Sequence, residues 1–146
     1  MRYFFALAFC FLLASPQVHA CLHAGLFESL FFDAIPDPQP DADVIARVSL
    51  SNANGEAPKA MVTATVIQVL KTSDARVRRV RQGSKITMQF EESTCGPSAR
   101  NGAEGIIIAK AATDSKGRLV LCPYSIQRGG RIMPPRMDGE YACPFR

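Results

Sequence analysis

The stretch "AMVTATVIQVL" (residues 60–70) contains no glycine, proline or charged side chain, and its residues alternate, with Val62, Ala64 and Val66 on one side and Thr63, Thr65 and Ile67 on the other. A period of two over this length is the pattern of a strand with one face on a core and the other toward water. Upstream, "DVIARVSL" (43–50) has the same β-branched bias, and "SNANGEAPK" (51–59) between the two carries an Asn-Gly turn signal, so they form a hairpin. Downstream, "KITMQF" (85–90), "EGIIIAKA" (104–111) and "GRLVLC" (117–122) repeat the theme, with "DSKG" (114–117) as the turn between the last two. Five short strands with no strong helix alternating between them argue against a parallel α/β sheet. They predict an all-β fold, a small sandwich or barrel.

Outward from the strands, both ends of the chain are informative. Residues 1–20 have the three parts of an export signal: Arg2, the short apolar run "YFFALAFCFLLA" and a small residue, Ala20, before Cys21. The apolar run is shorter than the ~20 residues that a membrane span requires. Export therefore predicts a mature chain of residues 21–146 forming one domain, periplasmic or extracellular, with 16 basic against 13 acidic side chains once Arg2 is removed. That balance is too mild to name a partner. Leu22, Leu26, Phe27, Leu30 and Phe31 fall at helical spacing, which predicts a short amphipathic helix over 22–32, or an extended segment if Gly25 interrupts it. "IPDPQPD" (35–41) should run extended over the surface, because its three prolines remove donors and restrict their neighbours. The tail from Pro123, with three prolines before Cys143 and no apolar period, is expected to be irregular and to wrap the domain.

Cys10 leaves with the signal, so the mature chain keeps Cys21, Cys95, Cys122 and Cys143. An even number in an oxidising compartment reads as two disulfides, and the residues alone leave all three pairings open. No two cysteines have C-x-x-C spacing and the only mature histidine is His23, which argues against a resident zinc site. A thiol nucleophile at Cys21 with His23 as base would need a reduced, activated thiolate, and an exported cysteine with three available partners is instead expected to be oxidised. No nucleophile elbow, phosphate loop or zinc-protease helix motif occurs, so neither an enzyme nor a cofactor is expected.

"ARVRRVRQGSK" (75–85) places Arg76, Arg78, Arg79 and Arg81 within six positions. One reading is a solvated loop with Val77 and Val80 facing the core. The other is an anion patch for phosphate or sulfate groups on a polysaccharide or membrane surface. Nucleic acid is not an expected partner: Phe90 is the only aromatic in the five strands, and base stacking needs aromatic platforms. Cys21 itself supports two exclusive readings. Val18-His19-Ala20-Cys21 can be a lipoprotein box whose cysteine is acylated, giving membrane attachment. Alternatively a disulfide holds the free α-amine and the Cys21 carbonyl, which together form a five-membered chelate suited to the open position of another protein's catalytic zinc.

The order of these pieces resembles the netrin-like domain family, and within it the amino-terminal domain of the tissue inhibitors of metalloproteinases. The resemblance is carried by a mature start at Cys21, by "ADVIARV" (42–48) opening the first strand, by "TCG" (94–96) followed by "EGIIIAK", and by "DSKGRLVLC" ending at Cys122. It implies a five-stranded OB-fold barrel, closed or partly open, with Cys21 bonded to Cys95 and Cys122 to Cys143. Loop-closure entropy gives those bridges upper values of roughly 4 and 3 kcal/mol. The resemblance also implies a partner, a zinc metalloprotease, contacted by Cys21, Leu22, His23, Cys95, Gly96, Pro97 and Ser98. The chain departs from the family pattern at His23, where those inhibitors carry a second cysteine, and at Leu22, where they carry a small hydroxylated residue. The resulting expectation is an exported, non-enzymatic binding protein acting as a metalloprotease inhibitor. The alternative is a non-inhibitory, envelope-associated or lipid-anchored module for an anionic or protein partner.

Overall fold

A computed structural model describes residues 28–54, 59–91, 97, 99–127, 129–136 and 143. Among these residues eight strands occur in chain order: β1 Glu28–Ser29, β2 Val44–Asn54, β3 Lys59–Thr72, β4 Lys85–Glu91, β5 Glu104–Thr113, β6 Leu119–Pro123, β7 Ser125–Gln127 and β8 Ile132–Met133. Strands β2 to β6 are the five expected from the sequence. The β2–β3 hairpin forms as expected, with Asn54 ending β2 and residues 55–58 of its turn outside the described residues. The turn at Asp114 also forms: the Gly117 amide donates to the Asp114 carbonyl and the Asp114 amide to the Arg118 carbonyl, both at 2.9 Å.

These five strands close into a barrel in the order β2-β3-β4-β6-β5. All neighbours are antiparallel except β4 and β6, which run parallel and meet through Thr87 opposite Val120 and Met88 opposite Leu121. The order and the single parallel seam define the OB fold. The alternation explains the closure. Val44, Ala46, Val48 and Leu50 of β2, Ala60, Val62, Ala64 and Val66 of β3, Ile86, Met88 and Phe90 of β4, Ile107, Ala109 and Ala111 of β5 and Leu121 of β6 share one core. Every second residue thus points inward. The alanines keep the bore narrow enough for the larger side chains to fill it, and each buried Val, Leu, Ile or Met contributes about 1.5–3 kcal/mol. β3 has one residue more than β2 between Ile45 and Ala46 and again between Arg47 and Val48, bulges that increase the local bend a small barrel requires.

A second apolar layer lies outside the barrel. Phe32, Ala42, Ile45, Ile106, Ile108 and Tyr124 form their own core, with Ile126 and Ile132 packed against it. Strands β1, β7 and β8 pair there as a small antiparallel sheet in the order β1-β7-β8. β5 is therefore covered on both faces, which is why "GIIIA" reads as an unbroken apolar run.

Of the two alternatives expected for 22–32, a short helix or an extended segment, the described part, 28–32, takes the extended one: Glu28 and Ser29 pair with Gln127 and Ile126, and the Phe32 amide donates to the Ile106 carbonyl at 2.9 Å. Leu30 enters the barrel core, whereas Phe32 enters the outer one. Of the residues at helical spacing, Leu30 and Phe31 both pack on the barrel core, and they do so from an extended backbone and not from one face of a helix. The tail, expected to be irregular, contains the β7–β8 hairpin, which turns at Gly129 and Gly130 with φ of +105° and +84°, a left-handed geometry that glycine adopts without strain.

Further along, the tail is tethered as expected. Cys143 is bonded to Cys122 with a Cα–Cα separation of 5.9 Å. Cys143 is buried with Ala112, Val120 and Cys122 on the outer side of the barrel, and its Sγ lies 3.8 Å from the Gln89 carbonyl oxygen of β4. The bridge therefore crosses the short β4–β6 seam. Arg136 adds an ion pair to Glu91 at 2.8 Å on the same strand.

Candidate functional site

The segment that leads from the amino terminus onto the barrel is fixed by three kinds of contact. Its backbone pairs with β7 and then bridges to Ile106. Ser29 closes a local turn, its hydroxyl donating to the Phe31 carbonyl at 3.2 Å and accepting from the Phe31 amide at 3.1 Å. The Phe31 ring lies directly over Gly105, where an added Cβ would sit 2.5 Å from Phe31 Cγ and 2.7 Å from Phe31 Cβ. Only a glycine lets the segment approach β5 so closely. Gly105 is the second residue of β5, just after the loop that contains Cys95.

Of the expected contact residues, Cys21, Leu22, His23, Cys95, Gly96 and Ser98 lie outside the described residues, and so does the expected Cys21–Cys95 bridge. Pro97 is described and buried. The residues that anchor the segment, Phe31, Phe32, Gly105 and Ile106, were not singled out by the sequence reading. The signal for them was the Gly-Ile-Ile-Ile run, which announces a strand covered on both faces and approached closely at its glycine.

The arginine loop joins β3 to β4. Asp74 caps a single 3-10 turn, Ala75–Val77: its carboxylate accepts from the Arg76 amide at 2.7 Å and from the Arg76 guanidinium at 2.9 and 2.8 Å. Those hydrogen bonds from Arg76 hold the Asp74 carboxyl down to about 2, and the same pairing raises the Arg76 pKa. Val77 and Val80 are buried in the barrel core, and the loop closes with the Gly83 amide on the Val66 carbonyl at 2.7 Å and the Arg81 amide on Ser84 Oγ at 3.0 Å. The solvated-loop reading thus holds for the valines. The expected four-arginine patch loses one member, because Arg76 is engaged by Asp74 and lies 3.8 Å from Asp43. Arg78, Arg79 and Arg81 are exposed and make no ion pair among the described residues.

Beside this loop, a charged network ties the chain before β2 to β5. Asp43 accepts from the Ala111 amide at 2.8 Å, and Lys110 pairs with Asp41 at 2.7 Å and approaches Asp43 at 3.8 Å. The hydrogen bond to Asp41 raises the Lys110 pKa. Tyr124 donates its hydroxyl to the Asp41 carbonyl at 2.7 Å, and burial raises its pKa. The acidic and basic groups here are matched to one another, which makes the network a structural brace. Among the described residues, no three His, Cys, Asp or Glu side chains gather as a metal site. Comparison of the chain with family models, with curated proteins and with solved structures finds no match.

Proposed function

We propose that this chain is an exported, non-enzymatic binding protein that presents its processed amino terminus to a partner as a rigid edge, and that the partner is a zinc metalloprotease. One observation carries the reading: the chain arrives on the barrel pinned at Glu28–Phe32, with Phe31 seated on Gly105 and Phe32 bridged to Ile106, seven residues after Cys21. Anchoring at 28–32 limits the span over which the chain start can move, so less entropy opposes the docking of Cys21 and Leu22. The OB topology agrees with the netrin-like resemblance, which supplies the role of the chain start. In that role the Cys21 amine and carbonyl oxygen fill the open coordination position of the partner's zinc and displace its reactive water, while Leu22 enters the adjoining pocket. The amine must be free and neutral for this, so acylation and inhibition exclude each other.

The test compares the mature protein with a form carrying one extra alanine before Cys21, against a panel of zinc metalloproteases. The mature form should inhibit at least one, and the extension should abolish inhibition while leaving the circular dichroism spectrum and thermal midpoint unchanged. Equal inhibition by the two forms, or none by the mature form across the panel, would remove the chelate mechanism.

A further inference from the structure

We propose that Arg78, Arg79 and Arg81, with Lys85 beside them, form a docking site for a sulfated or phosphorylated polysaccharide. The site is independent of the amino-terminal edge. Its basis is a division of labour within one loop. Val77 and Val80, three positions apart, are sunk in the barrel core, and Arg76 is held against Asp74. The backbone is closed at Gly83 and Ser84 onto Val66 and Arg81. The three remaining guanidiniums therefore project from a fixed base.

Among the described residues, no carboxylate pairs with these three guanidiniums. From Ala75 to Phe90 the chain contains no carboxylate. The nearest described acids in sequence are engaged elsewhere: Asp74 by Arg76, Asp43 by Lys110 and the Ala111 amide, and Glu91 by Arg136. Several uncompensated arginines in a short span raise the local potential and favour an anion with repeated charges. The planar fork of guanidinium matches the oxygens of a sulfate or phosphate in pairs, which a point charge does not.

The surroundings select the class of polyanion. A nucleic acid strand would call for stacking platforms, and Phe32, Phe90 and Tyr124 are all buried in the two cores. An anionic membrane surface would reward apolar side chains inserted alongside the basic ones, and the valines of this loop point into the barrel. A flexible, hydrophilic chain with regularly spaced anionic groups needs neither.

Heparin serves as the sulfated probe, polyphosphate as the phosphate probe, and dextran as the neutral control, each measured with the mature full-length chain. Three phosphate- or sulfate-type contacts predict binding that weakens roughly 10–50-fold between 50 and 200 mM salt, with a log–log slope of about −2 to −3. Arg78→Ala, Arg79→Ala and Arg81→Ala should each reduce that slope by about one. The triple variant should lose retention, while a charge-matched triple variant at the exposed Arg47, Arg100 and Arg131 keeps it. All replaced side chains are exposed, and a corresponding Lys series, which keeps the charge and loses the fork, should retain the slope but bind more weakly. Equal losses from the two alanine triples, binding to dextran, or retention on anionic vesicles or single-stranded DNA without retention on heparin and polyphosphate would each overturn the proposal. Preference between heparin and polyphosphate identifies the anion.

Discussion

Asp43 and Asp74 show how much one carboxylate does at the end of a small barrel. Asp43 receives the Ala111 amide while its own amide donates to the Ala109 carbonyl at 3.0 Å and its carbonyl accepts from the Ser73 amide at 3.0 Å. Asp43→Ala leaves the Ala111 donor without its partner and is expected to cost about 1–3 kcal/mol in chemical denaturation. Asn, which preserves an acceptor, should cost less. Asp74 provides the pH signature. Its folded carboxyl titrates near 2, below the unfolded value, so its contribution is fully present above about pH 4 and is lost as pH falls through 2. Stability measured from pH 5 downward should show that loss for the wild type, and Asp74→Asn should remove this part of the acid dependence. Neither role was legible beforehand: the reading of 75–85 turned Val77 toward the core but began after Asp74 and so missed its cap, and Asp43 reads as an unremarkable strand start.

Among the elements, the amino-terminal segment is where sequence and structure part most clearly. The barrel strands were legible because each is an apolar, β-branched run bounded by turn signals, and in β3, with its inner face on one core, the period of two survives in the residue order. In the segment at 28–32 the consecutive Leu30, Phe31 and Phe32 all pack, the first two on the barrel core and the third on the outer one, so no period of two survives and the spacing imitates a helix. The β7–β8 hairpin was hidden for a different reason: its strands are three and two residues long, too short for a period, and only the Gly129-Gly130 turn marked it. Gly105→Ala isolates the segment. The new methyl would require the Phe31 ring to move, an overpacking cost of about 1–3 kcal/mol that falls on the docking of 28–32 and not on the barrel interior. Hydrogen exchange should show faster exchange at the Phe32 amide, with protection of the β3–β4 amides unchanged. Under the proposed function the same variant should also inhibit more weakly.

At the scale of the whole molecule, the barrel is closed by two unequal devices. Antiparallel ladders join four of the five seams, while β4 and β6 meet through only two residue pairs, with the Cys122–Cys143 bridge and the Arg136–Glu91 pair lying across them. Replacing both cysteines by alanine removes a link between residues 21 positions apart and is expected to cost up to about 3 kcal/mol, read as a lower denaturation midpoint. Barrel closure itself was legible only through the netrin-like resemblance, because five alternating strands fit a sandwich equally well. The single parallel pair that distinguishes an OB barrel leaves no mark in composition or spacing.

The rigid chain start is tested most directly by mass spectrometry of the exported protein, intact and after proteolysis without reduction. The account predicts a chain beginning at Cys21 with an unmodified amine, no free thiols, and a linked peptide pair containing Cys21 and Cys95. An acylated Cys21, or a Cys21 thiol left free, would contradict it.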